Sequence, residues 1–220
     1  AGSETGAPRQ AAHRNGLGDR APLQHSPPMF TCIRRLLALA LVIFPVSAGE
    51  LRVMTFNLWH GGDAGNQPLE QSAAVIRAAK ADLVGFQESR GFERNGSQPN
   101  NGRKLAELLG WHFFEQGSSP GIASQFPIVT NTPGRHGVTV RLPSGRTVTH
   151  FNVHLMHTPY QPYQLLNIPY GEAPFIKTAA EAVAEARKAR GGEVDRLLAE
   201  LKPALARGET VFLTGDFNEP

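Results

Sequence analysis

Residues 213–220 read LTGDFNEP. An apolar run ends in glycine, and Asp216 and Asn218 follow with Phe217 between them. A strand that finishes in a carboxylate and an amide sets both at the lip of a sheet, where layered α/β folds receive ligands. Upstream segments end in the same way. LRVMTFNL (51–58) is apolar and β-branched up to Asn57, DLVGFQES (82–89) turns polar at Gln87 and Glu88, and RTVTHFNVHL (146–155) carries His154 near its end.

The connecting segments set the fold class. In PLEQSAAVIRAAKA (68–81), Leu69, Ala73, Ile76 and Ala79 recur at helical spacing, and Pro68 suits a first turn. KLAELLG (104–110) predicts a short helix closed by Gly110. GIASQFPIV (121–129) predicts one strand running into a turn, and HGVTVRL (136–142) pairs with residues 146–155 across PSG as a hairpin. Residues 176–207 are helical in pattern, with an interruption expected at Gly191 and Gly192. After it, Val194, Leu197, Leu198, Leu201 and Leu205 form an apolar stripe. Strands, helices and hairpins together predict a layered α/β fold and not a purely parallel sheet.

A sequence pI of about 9.3 suggests a nucleic-acid partner until the charges are located. Of 22 Lys and Arg and 19 Asp and Glu, Arg9, Arg14, Arg20, Arg34, Arg35, Glu4 and Asp19 precede residue 49, which leaves 17 of each sign in 49–220. The excess belongs to the leader, so net charge selects no partner. MFTCIRRLLALALVIFPVSA (29–48) has the order of an export signal: Arg34 and Arg35, then the apolar run Leu36–Phe44, then small residues before Gly49. That run is too short to span a bilayer, and the alternative is a buried core helix. Both the twin-arginine and the general secretory routes are open. Residues 1–28 are expected to be non-structural, a start assigned too early or residues added for expression. Residues 49–220 form the expected domain, secreted or periplasmic and monomeric. Cys32, the single cysteine, lies in the leader, so the processed chain has no disulfide.

Each polar strand end alone has a structural explanation: Asn and Asp cap their own turns, and a strand histidine is commonly an interior hydrogen-bonding residue. Together they suit phosphate-ester cleavage. A carboxylate binds a hard divalent cation, which keeps waters and accepts phosphate oxygens. Asp216 can hold an attacking water, His154 can donate to a phosphoryl oxygen, and Asn57 and Asn218 can orient either without adding charge. A zinc site from His150, His154 and His157 is the rival. It leaves Glu88 and Asp216 unexplained, and His157 falls beyond the strand.

The ordered set VMTFNLW (53–59), LVGFQES (83–89), GIASQFPI (121–128), FNVHL (151–155) and GDFNEP (215–220) resembles the endonuclease/exonuclease/phosphatase superfamily, the deoxyribonuclease I-like fold. The resemblance spans about residue 50 to 220. It implies a four-layer sandwich of two mixed β-sheets flanked by helices and a Mg²⁺-dependent (or Mn²⁺-dependent) phosphoesterase. By position, Glu88 is the main metal ligand with Asn57 its partner. His154 contacts the scissile phosphate, and Asp216 and Asn218 position nucleophile and phosphate. Gln125 stands where the family commonly has a basic residue. Family members continue past this point to an Asp–His pair whose histidine is the general base. His60, His112, His136, His150 and His157 lie in no such motif, so the chain resembles a C-terminally incomplete member, with an inactive fragment expected.

The family's substrates include nucleic acids, nucleotides, inositol phosphates and phospholipid head groups, and fold does not choose among them. A non-catalytic secreted binding protein on the same fold is the alternative. In SRGFERNGSQPNNGR (89–103), Arg90 and Arg94 are candidate phosphate contacts, beside the reading of a solvated polar loop. Residues 157–175 hold all three tyrosines and four prolines; Tyr160 and Tyr163 are candidates for a cleft wall, beside the reading of a self-packed surface loop.

Overall fold

The computed structural model describes residues 50–117 and 119–219. The expected leader (1–28) and export signal (29–48) lie outside the described residues. Two sheets of four strands face each other. The first runs β1 (Val53–Asn57), β2 (Leu83–Gln87), β4 (Gly121–Ser124), β3 (His112–Glu115), with β1 and β2 parallel and the other pairings antiparallel. The second runs β5 (Ile128–Asn131), β6 (Gly137–Arg141), β7 (Thr147–His154), β8 (Val211–Asp216), with β7 and β8 parallel. Both sheets are therefore mixed. Among the described residues no helix is long and apolar enough to cross a membrane.

Strand alternation builds the layers. On β2, Val84 and Phe86 turn outward to Ala73 and Ile76 of α1 (Leu69–Ala79) and Leu105 and Ala106 of α2 (Asn101–Leu109). Phe151 and Val153 of β7 turn outward to Leu197, Leu201 and Ala204 of α4 (Ala179–Ala206). Between the sheets lie Leu83, Ile122, Val138, Val140 and Val148, with Val53 and Phe212 against them. The result is helix, sheet, sheet, helix.

The inner layer changes character along its length. Val53, Leu83, Val148 and Phe212 fill one end, whereas the next inward positions carry Thr55, Gly85, His150 and Thr214. Buried Gln87 donates to Asn152 Oδ1 (2.6 Å) and accepts from Thr55 Oγ1 (3.3 Å), while Asn152 donates to Phe86 O and Gln116 Oε1, both at 2.9 Å. Gly85 is required here, because a Cβ would collide with Thr214 Oγ1 and Asn152 Oδ1. The sheets thus approach closely through polar contacts just below the carboxyl ends of β1, β2, β7 and β8. A buried network with its members paired defines that spacing more sharply than apolar packing would.

Several expectations need correction. Residues 121–129 are not one strand: β4 ends at Ser124, the chain bends through Gln125–Pro127, and β5 joins the other sheet. Ser124 Oγ clasps the bend, bonding both N and O of Phe126. β3 was not expected from the sequence. The helix does not break at Gly191 and Gly192. Two interior glycines cost about 1 kcal/mol each relative to alanine, but the buried face Ala182, Ala186, Arg190, Leu197, Leu201, Ala204 runs through them. Tertiary packing on β7 outweighs propensity. The apolar stripe is also narrower than expected, since Val194, Leu198 and Leu205 are exposed. Residues 157–175 contain a short helix, α3 (Gln161–Leu165).

Candidate functional site

Register brings the polar strand ends together. Asn57 pairs with Gln87 across β1 and β2, and His154 with Asp216 across β7 and β8. β1 faces β8 and β2 faces β7, so all four ends share one edge of the sandwich. Asn57 Nδ2 donates to Glu88 Oε1 (3.0 Å) and to Asp216 Oδ2 (2.9 Å), joining the two sheets through one amide. Its carbonyl oxygen accepts from Trp59 N at 2.8 Å.

Glu88 follows β2 in the left-handed region, φ 49°. That conformation is uncommon for a residue with a long side chain, and it folds the carboxylate back over the strand ends. The loop after β1 closes around it: His60 N donates to Glu88 Oε2 (3.1 Å) and Gly61 N to Glu88 O (2.7 Å). Asp216 Oδ1 accepts from Asn218 N (3.1 Å), and His154 Nε2 stands 4.0 Å from Asp216 Oδ2, beyond hydrogen-bond reach. Asn218 has φ 50°, tolerated by asparagine, and its Nδ2 donates to Leu155 O (2.9 Å), tying the segment after β8 to the end of β7. Beside these groups lies a cleft of about 460 Å³ whose lining includes Thr55, Asn57, Tyr160, Asp216 and Asn218.

The other candidates lie around this centre. Tyr160 lines the cleft; Tyr163 is not among its lining residues and packs edge-to-face between Tyr160 and Tyr170. Arg90 forms an ion pair with Glu115, which also meets Arg103, and Arg94 pairs with Asp63 at 3.2 Å. His150 is buried with Nε2 on Thr214 Oγ1 (2.9 Å), and His157 packs against Tyr170. The zinc alternative has no converged ligand set: among the described residues no group of three or more His, Cys, Asp or Glu is arranged to hold a metal. Magnesium asks for less. It binds through one or two carboxylates and keeps its waters, and Glu88 and Asp216 supply two carboxylates on either side of one amide. The donor set is hard oxygen and fits that cation.

Arg190 and Glu219 were missed by sequence reasoning. Arg190 is 2% exposed, pairs with Glu219, and donates to Met156 O and Pro159 O at 2.9 Å each. Gln161 joins the cluster by donating to Glu219. One side chain of α4 thereby fixes the root of the tyrosine loop and the segment beyond Asn218. The signal was present: Ala182, Ala186 and Arg190 recur at spacing four, with an arginine on an apolar face.

A family model described as the Endonuclease/Exonuclease/phosphatase family matches residues 54–220. The chain belongs to the endonuclease/exonuclease/phosphatase family. An uncharacterised protein of Caenorhabditis elegans is 26% identical over 187 residues, covering 79% of this chain and 55% of that protein's length. The chain therefore spans about half of that curated relative. Among solved structures, an endonuclease/exonuclease/phosphatase from Beutenbergia cavernae is 24% identical with a TM-score of 0.38, covering 54% of this chain and 43% of that one. A β-hairpin deletion mutant of Staphylococcus aureus beta toxin is 13% identical with a TM-score of 0.44, covering 77% and 67%. The family match takes in every strand end that forms the carboxylate cluster.

Proposed function

We propose that the protein is a secreted or periplasmic phosphoesterase of this family that works with Mg²⁺ or Mn²⁺. The observation that carries the reading is the convergence of Asn57, Glu88, His154 and Asp216 from four strands on one edge. Glu88 is the principal metal ligand, with Asp216 beside it and Asn57 keeping the two carboxylates in place. The bound cation would offset charge developing on the phosphoryl oxygens and leaving group. Asp216, with Oδ1 fixed by Asn218 N and Oδ2 by Asn57, orients a water toward phosphorus. His154, at the end of β7, donates a hydrogen bond from a ring N–H to a phosphoryl oxygen. Asn218 acts by locking the strand ends through Leu155. The substrate lies in the adjacent cleft against Tyr160.

The test is hydrolysis of bis(p-nitrophenyl) phosphate and p-nitrophenyl phosphate by the full-length protein, with and without chelator, beside Glu88→Ala. Activity restored by Mg²⁺ and absent in Glu88→Ala is expected. Turnover indifferent to chelation, or retained by Glu88→Ala, would sink the proposal. Export is tested separately, by sequencing the amino terminus of protein recovered outside the cytoplasm for cleavage after Ala48.

A further inference from the structure

Trp59 stands two residues beyond Asn57 with 60% of its surface exposed. It opens a run of four left-handed residues, with φ 48°, 55°, 63° and 91° at Trp59, His60, Gly61 and Gly62. The glycines take such angles freely, whereas an aromatic residue does not. A large apolar ring is thus held in water on a strained backbone beside the site, the kind of outlier that points to a ligand.

The surroundings define what the ring can receive. Its backbone N–H is fixed to Asn57 Oδ1 at 2.8 Å, and the next residue donates to Glu88 Oε2 at 3.1 Å. The backbone that carries the ring is therefore tied to the carboxylate centre. The indole lies beside Gly65: a Cβ there would meet Cε3 and Cζ3 at 3.6 and 3.8 Å, ordinary contact distances, so this part of the loop backs the ring. His60 does not wall the indole in, because its ring packs against Phe92 with centroids 4.9 Å apart. A quaternary ammonium is held by several aromatic walls. A single supported face suits a flat π-system instead.

We propose that Trp59 is a specificity-determining residue, a stacking platform for a nucleobase on a substrate whose phosphate lies at Glu88 and Asp216. The placement of the phosphate rests on the phosphoesterase reading; the platform itself does not. Stacking on an aromatic side chain changes binding by about tenfold or more per base, and does so for any base.

Trp59 and Trp111 are the two tryptophans, and Trp111 packs against the core, so fluorescence reports on the platform. Full-length protein is titrated with adenosine 5′-monophosphate, phosphocholine and inorganic phosphate in the presence of Mg²⁺, followed by emission and by calorimetry. The nucleotide should quench emission saturably, Trp59→Phe should abolish that quenching while keeping most of the affinity, and Trp59→Ala should weaken the nucleotide about tenfold. Phosphate affinity should be the same in all three proteins. Quenching that persists in Trp59→Phe, a nucleotide affinity unchanged in Trp59→Ala, or phosphocholine binding as tightly as the nucleotide would overturn the proposal. Platform binding in a protein with no metal-dependent hydrolysis would retire the phosphoesterase reading and leave the platform in place. Hydrolysis without Trp59-dependent binding would do the reverse.

Discussion

Asn57 and Asp216 lie 159 positions apart in the chain and meet through a 2.9 Å hydrogen bond from Nδ2 to Oδ2. The second hydrogen of the same amide goes to Glu88 at 3.0 Å, so both donors of one side chain serve two carboxylates from different sheets. Without that amide the carboxylates would face each other with only water or a cation between them. Two carboxylates gathered on one amide repel each other, so the cluster works against stability.

If Glu88 is the principal ligand proposed above, replacing it by alanine should lower metal-dependent turnover by about a thousandfold or more. Asp216→Ala should do likewise, and His154→Ala should cost about a hundredfold or more. Glu88→Gln relieves like-charge repulsion but loses one of the two hydrogen bonds that the carboxylate accepts, so its melting temperature in chelator should change little. A marked loss of stability in Glu88→Gln would mean that the carboxylate supports the fold.

Arg190 is expected to behave in the opposite way. Its guanidinium is buried, and removing it leaves Met156 O and Pro159 O without this donor and Glu219 with Gln161 alone. Arg190→Met should cost about 3 kcal/mol, read as a lowered urea midpoint. Arg190→Lys should recover only part of this, since an ammonium cannot fork between a carboxylate and two carbonyls. An unchanged midpoint in Arg190→Met would mean the loop root is held by other contacts.

The contrast between these residues explains what the sequence made legible. Asn57, Glu88 and Asp216 each follow a largely apolar run and His154 closes an alternating one, and a strand pattern that stops at a polar group marks both a strand and its site end. Strand pairing then decides which ends meet. Arg190 acts from mid-helix on groups more than 25 positions away, and only the α4 packing face reveals it. β3 is a strand of four residues, too short for a pattern, and is held by pairing with β4. The switch of GIASQFPIV between sheets depends on where β5 finds its partner β6, which local composition does not encode. Gly191 and Gly192 read as a break because propensity is local, while the apolar face that carries the helix across them is tertiary.

His150 gives a pH signature. Burial lowers its pKa from 6.5 to about 4, and Nδ1 has no hydrogen-bond partner among the described residues to compensate a charge there. Between pH 4 and 6.5 the unfolded chain binds a proton that the folded one does not. Stability contributed by the neutral ring is complete above the unfolded value and falls as pH drops through this window, by about 3 kcal/mol in all. The urea midpoint should fall from pH 7 to pH 4.5, and His150→Gln, which can still bond Thr214, should flatten that slope. The same slope in His150→Gln would assign the acid sensitivity to other groups.

The tyrosines of residues 157–175 separate a wall from its support. Tyr160 lines the cleft with Asn57 and Asp216, and its ring meets Tyr163 at 5.1 Å and 90°. Tyr163 in turn meets Tyr170 at 5.4 Å and 89°, and Tyr170 meets His157 at 5.8 Å and 78°. Edge-to-face pairs contribute about 1 kcal/mol each beyond area burial. Tyr163→Ala deletes two of them from the middle of the row, so it should lower stability by about 2 kcal/mol and raise KM for every substrate together. Tyr160→Ala deletes one pair but also the surface facing the substrate. It should change the ranking of leaving groups by KM, with kcat less affected and a smaller stability loss. Tyr160→Phe, which keeps the ring, should restore the ranking if shape sets it; failure to do so would assign selectivity to the hydroxyl. Equal effects of Tyr160→Ala and Tyr163→Ala on every substrate would show that the whole row is support and that the cleft wall lies elsewhere.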